Sequence, residues 1–180
     1  MNSVNFLINT IFDIYIMIIL LRIWLQVARA DFYNPFSQFI VKATQPIVGP
    51  LRRFIPSMGG WDSACILFAF VIACLKIVTL SLVFNSELHI IAILISGLFI
   101  IVQAIFKLIF WVLILRAILS WISKGNNPVE AVMIQLSEPL LAPVRRFIPA
   151  IGGLDLSMLV VLFALQFVEL FVNDLLSRLF

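Results

Sequence analysis

Apolar residues in this chain come in long uninterrupted runs instead of alternating with polar ones. Four runs, residues 4–25, 63–84, 90–122 and 156–176, each reach the ~20 residues that a helix needs to cross ~30 Å of hydrocarbon. Transmembrane strands would be shorter and would alternate in polarity. The pattern therefore predicts an all-α membrane protein with four transmembrane helices. The third run would measure ~50 Å as one helix, which leaves two readings. Either residues 89–97 form an external or interfacial connector that breaks near Ser96-Gly97, or the run is one long tilted helix.

The polar connections carry a pattern of their own. Asn34-Pro35 and Asn127-Pro128 each supply an N-cap followed by a proline at the first helical position, and Glu130 would complete a capping box. Apolar residues then recur on one helical face at Phe36, Phe39, Ile40 and Ala43, and again at Val129, Val132, Met133 and Leu136. Pro46 and Pro139 are predicted to end these helices, leaving residues 46–56 and 139–149 irregular. Helices so short cannot span a bilayer, and their amphipathic pattern suits the headgroup plane. Gly59-Gly60 and Gly152-Gly153 permit a sharp return, after which Asp62 and Asp155 can cap the next span.

The two connections are copies of each other. Leu51-Arg52-Arg53-Phe54-Ile55-Pro56 returns 93 positions later as Val144-Arg145-Arg146-Phe147-Ile148-Pro149, and 12 of the 31 residues from 34 to 64 match their partners from 127 to 157. The reading is a tandem repeat of a two-helix unit, residues 1–88 and 89–180. Each unit crosses twice, so both copies start on the same side and the repeat is parallel, unlike the inverted repeats of many transporters.

Composition sharpens this picture. With 63% apolar and 12% charged residues and a mean hydropathy of +1.18, the chain has too little polar surface to cover a water-soluble globule. The single histidine, His89, and two cysteines nine apart on one predicted helix, Cys65 and Cys74, form no metal-ligand cluster and no easy disulfide. No Ser/His/Asp or Cys/His set and no glycine-rich phosphate loop is present, so neither an enzyme nor a cofactor is expected. Of the 12 basic residues, nine flank or occupy the two connections: Arg22, Arg29, Lys42, Arg52, Arg53, Arg116, Lys124, Arg145 and Arg146. By the positive-inside rule both hairpin loops face the cytoplasm and the N- and C-termini are extracytoplasmic. Arg22 and Arg116 stand one turn inside their spans, from where a long side chain can snorkel to the interface.

Four ionisable residues lie within the spans. Aligning the copies sets Asp13 against Lys107 and Lys76 against Glu169, at similar depths, so all four could meet in one layer. A charge facing lipid there costs at least ~2.5 kcal/mol, which makes pairing the expected state, with Lys76 partnering Asp13 and Lys107 partnering Glu169 as hairpin neighbours. Asn9 and Gln103, one turn earlier, could join by hydrogen bonds. The alternative use of such carboxylates is an ion or proton path. Arg52, Arg53, Arg145 and Arg146, set among Phe, Ile and Pro at the membrane boundary, suit anionic phospholipid or a protein partner, and equally a role in topology alone. They are too few for nucleic acid.

The repeated Pro-x-x-x-Pro-(hydrophobic)-Arg-Arg-(hydrophobic)-(hydrophobic)-Pro segment, here from Pro46 to Pro56 and from Pro139 to Pro149, with its following Gly-Gly pair and Asp62 or Asp155, resembles the YggT/YlmG family of small integral membrane proteins over nearly the whole chain. The resemblance implies the two-copy form of proteobacterial members and a place in the bacterial inner membrane. Family members have been linked to osmotic stress tolerance and potassium uptake, to the neighbourhood of division genes, and in plastids to nucleoid distribution and cytochrome assembly. No catalytic residues are defined for the family. The expectation is a non-enzymatic membrane scaffold or assembly protein that binds anionic phospholipid and membrane-protein partners or a second copy of itself. The alternative is a small potassium-transporting or transport-regulating protein.

Overall fold

Asn34 accepts a hydrogen bond from Phe36 N at 2.9 Å and Asn127 one from Val129 N at 2.9 Å, each with a proline at the first helical position, and these caps start the two helices of the polar connections. The computed structural model describes residues 2–55, 62–85, 87–123, 127–148 and 156–179. In chain order the helices are α1 (Ser3–Val27), α2 (Pro35–Phe54), α3 (Ser63–Val83), α4 (Ile90–Ile122), α5 (Pro128–Arg145) and α6 (Leu156–Leu179). Four of them, α1, α3, α4 and α6, are long and apolar enough to cross a membrane. No strand occurs among the described residues. The readings placed on Pro56, Gly59, Gly60, Lys124, Pro149, Gly152, Gly153 and Asp155 lie outside the described residues.

Two expectations about the connections are corrected. Helices α2 and α5 do not end at Pro46 and Pro139 but continue through them and through Pro50 and Pro143, reaching 20 and 18 residues. A proline removes one helical N–H and crowds the preceding turn. Here each pair is spaced four apart on the exposed side of its helix, while the opposite face is held down by Ile40, Thr44 and Val48 in α2 and by Met133, Leu136 and Leu141 in α5. Packing thus overrides propensity. Glu130 does not close a capping box: Asn127 bonds to the second helical N–H, and Glu130 Oε2 meets no donor among the described residues.

The chain gathers into two compact units, Met1–Leu108 and Ile109–Phe180. In the first, α3 buries Cys65, Ala69 and Ala73 one turn apart, and this stripe of small side chains lets α1 approach closely with Ile16, Ile19, Leu20 and Ile23. Tyr15 and Phe68 meet edge to face, with ring centroids 5.9 Å apart. Helix α1 stops in a Schellman turn: Ala30 N bonds Leu25 O at 2.9 Å, Arg29 N bonds Gln26 O at 3.2 Å, and Arg29 takes the left-handed conformation at φ 51°. Helix α4 is continuous through Ser96-Gly97, which decides between the two readings of that run. The glycine serves proximity instead of a break, since a Cβ at Gly97 would lie 2.7 Å from Cys74 Sγ of α3. In the second unit α5 packs on α6 and buries Val132, Met133 and Leu136.

Candidate functional site: buried arginines and an intramembrane ion pair

Asp13 and Lys76 face each other across the α1–α3 contact. Lys76 Nζ donates to Asp13 Oδ1 at 2.6 Å, with the lysine 7% exposed and the carboxylate side chain 35% exposed. Lys107, in the same unit, is exposed on α4 and makes no ion pair with a described residue. Glu169, in the second unit, accepts from Gln166 Nε2 at 3.2 Å. Lys107 and Glu169 belong to different units, so their expected pairing is carried no further. Asn9 does not join the charged layer: its amide bonds back to Asn5 O at 2.8 Å, inside its own helix. Gln103 is exposed.

The polar contacts that sequence reasoning missed sit at the ends of the spans. Arg22 does not snorkel outward; it is 3% exposed and turned onto α2, where it donates to Val41 O at 3.3 Å, Thr44 Oγ1 at 2.5 Å and Gln45 Oε1 at 2.8 Å. Thr44 in turn back-bonds to Ile40 O at 2.9 Å. In the second unit Arg116 donates to Ser137 Oγ at 2.6 Å and Glu138 Oε2 at 3.1 Å, and Ser137 back-bonds to Met133 O at 2.5 Å. Each arginine therefore holds a hydroxyl and its following polar residue immediately before Pro46 or Pro139. The available signal was a polar dipeptide, Thr44-Gln45 or Ser137-Glu138, placed before a proline in the middle of an otherwise apolar helical face.

The Arg-Arg pairs divide by role. Arg52 is bonded to Asp62, which is itself buried at the N-cap of α3, accepting from Cys65 N at 3.2 Å and from the Cys65 thiol at 2.9 Å. Burial alone would push the Asp62 carboxyl up, but the Arg52 guanidinium and the Cys65 thiol and amide outweigh it and hold the carboxyl below the usual carboxylate range. The same hydrogen bond raises Arg52 above its ordinary value. Arg145 donates to Glu138 Oε1 at 3.0 Å, so Glu138 accepts from two arginines. Arg53 and Arg146 are exposed and make no ion pair with a described residue. Beside them Phe54 and Phe147 are 83% and 86% exposed. No group of three or more His, Cys, Asp and Glu side chains among the described residues is arranged to hold a metal.

The model of the CCB3/YggT family matches residues 1–83 and 95–176, which include both Arg-Arg segments and Asp62. The chain belongs to the CCB3/YggT family. Among relatives in this family, the "Uncharacterized protein in proC 3'region" of Vibrio alginolyticus is 58% identical over 179 residues, covering 98% of this chain and 97% of that protein. The "Uncharacterized protein YggT" of Escherichia coli K12 is 48% identical over 177 residues, 98% of this chain and 93% of its own. A Haemophilus influenzae protein is 40% identical over 172 residues, 96% of this chain and 92% of its own. No solved structure matches. The four long apolar helices fit a multi-pass membrane protein.

Proposed function

We propose that this family member is a non-enzymatic scaffold of the bacterial inner membrane that reads anionic lipid at the cytoplasmic surface through the ends of α2 and α5, and thereby supports envelope organisation and osmotic stress tolerance. The observation that carries the reading is the pairing of an exposed cation with an exposed aromatic at each of these ends: Arg53 with Phe54 and Arg146 with Phe147. A bare arginine beside a bare phenylalanine suits the headgroup boundary, where the guanidinium meets phosphate and the ring enters the acyl edge. The charge distribution supports a cytoplasmic position for both hairpin loops and extracytoplasmic termini. The two separate stretches matched by the family model support a duplicated hairpin. The closed Asp13–Lys76 pair suits helix-to-helix fixing, since a neutralised carboxylate makes a poor cation site.

The test reconstitutes the intact protein in vesicles with and without anionic phospholipid. Arg53→Gln with Arg146→Gln should weaken preference for the anionic lipid by about 2 kcal/mol, ~1 kcal/mol for each charge at the surface, and should lower stress tolerance with it. Wild-type vesicles should pass no more potassium than empty ones. Robust potassium flux that Asp13→Asn abolishes, with lipid preference intact, would replace the scaffold by a transporter.

A further inference from the structure

Arg116 and Arg145 do more than lock α5. Together with Ser120 and Trp121 they form the polar end of a cavity of about 490 Å³ that lies wholly within the second unit, between the C-terminal end of α4 and the start of α6. The rest of the lining is apolar, with Ile114 and Ala117 on the α4 side and Leu159 and Leu162 on the α6 side. Its polar lining is two arginines, a serine and a tryptophan, and among the described residues no carboxylate lines it. Glu138 stands outside the lining, yet it accepts from both arginines and so holds the two guanidiniums side by side at one end of the cavity. Of the five N–H donors that an arginine carries, Arg116 spends two on Ser137 and Glu138.

We infer that this cavity binds one anionic phospholipid, its phosphodiester between Arg116 and Arg145 and one acyl chain along the Leu159 and Leu162 wall. Two features commit the occupant to a lipid and not to free phosphate. The site is amphipathic, with a donor-rich end and an apolar body, and its size is that of a pocket for a small molecule. It also sits at the end of an apolar span, where headgroups lie. Two guanidiniums suit a phosphodiester because a planar fork of donors matches its oxygens. A shared acceptor for two arginines is a feature of the second unit: in the first, the place of Glu138 is taken by the neutral Gln45, which accepts from Arg22. The inference rests on the proposed lipid-reading function but concerns a discrete, saturable site, distinct from the surface arginines Arg53 and Arg146.

Native mass spectrometry on the intact, delipidated protein, titrated with a phosphatidylglycerol, a phosphatidylcholine of the same chains and inorganic phosphate, separates the possibilities. Wild type should retain one phosphatidylglycerol per chain, with phosphatidylcholine weaker and inorganic phosphate failing to displace the lipid. Arg116→Gln should weaken the lipid by about ten-fold or more, the loss of one charge-assisted hydrogen bond. Ala117→Phe fills the cavity while leaving both arginines and Glu138 in place, so it should abolish the one-lipid species even if Arg116→Gln proves unstable. Arg53→Gln with Arg146→Gln should leave that species unchanged while reducing the preference of vesicles, so failure of the surface reading and failure of the cavity are told apart. Absence of a saturable anionic lipid, equal binding of the zwitterionic one, displacement by inorganic phosphate, or an unaffected Ala117→Phe would each overturn the site.

Discussion

Removing the carboxylate at Asp13 should cost more stability than removing the whole ion pair. Lys76 lies 13 residues beyond Ser63 and seven before Val83, which puts it ~20 Å and ~10 Å from the two ends of α3. At that depth a four-carbon stem has no easy route to water. In Asp13→Ala the ammonium of Lys76, a residue 7% exposed, loses its 2.6 Å partner. Breaking a buried pair from one side costs ~3 to 5 kcal/mol. The lower end applies because the carboxylate side chain is 35% exposed, so part of the original attraction was already screened. Asp13→Leu with Lys76→Met removes both charges and fills similar volume, so it should fall within about 1 kcal/mol of wild type or exceed it. Reversal, Asp13→Lys with Lys76→Asp, should recover most of the single-mutant loss. Unfolding of the purified protein by titration with a denaturing detergent ranks the four. The reasoning fails if Asp13→Ala unfolds at the wild-type point, or if the reversal is no better than Asp13→Ala. An apolar double variant that is stable but loses stress tolerance would give the ionised pair a task beyond joining α1 to α3.

Two further outcomes follow from named contacts. Gly97→Ala should destabilise the α3–α4 crossing, because the new Cβ would meet Cys74 Sγ at 2.7 Å, and Cys74→Ala should relieve most of that loss; equal effects of Gly97→Ala with and without Cys74 would refute the contact. The Asp62 carboxyl is depressed in the folded state, so its contribution is fully present above the unfolded value of about 3.9 and is lost as pH falls through the lower folded value. The stability difference between wild type and Arg52→Gln should therefore be constant from neutral pH to about 5 and narrow below about 4, as seen by denaturing titration at each pH; a difference independent of pH down to 3 would show that the Asp62–Arg52 bond contributes nothing.

Much of the helix layout is legible in the sequence because hydrocarbon imposes a length and an apolarity that nothing else in the chain satisfies. The run 90–122 returns as α4 with the same bounds, and 63–84 as α3 ending at Val83. The starts of α2 and α5 are legible for a different reason, as Asn-Pro is a local signal that needs no tertiary context. Their ends are not. Whether Pro46 stops a helix depends on which side of it faces the protein, and that is decided by Ile40, Thr44 and Val48 packing inward. The same limit hid the role of Arg22. Its position one turn inside a span is compatible with pointing outward or inward, and only the hydroxyl and amide of Thr44 and Gln45 make the inward choice favourable.

That choice explains how helices with two internal prolines persist. Each proline costs ~3 kcal/mol relative to alanine in a helix interior, so neither α2 nor α5 could be held by propensity. What holds them is side-on: Arg22 bonds three acceptors in the turn that leads into Pro46, and Arg116 bonds Ser137 and Glu138 in the turn that leads into Pro139. The bonds are charge-assisted, each ~1.5 to 3 kcal/mol where buried, which is the right size to offset a proline. The consequence reaches the surface. An α2 fixed to the end of α1 holds Arg52 and Arg53 in its last turn, where the helix dipole also favours cations, at a set height relative to the span. Arg52 is then within reach of Asp62 at the start of α3, and Arg53 is left facing outward beside Phe54. The buried arginine thus fixes which member of the exposed pair is available to a partner. A loop without Arg22 could carry the same charges but would not hold them at one depth.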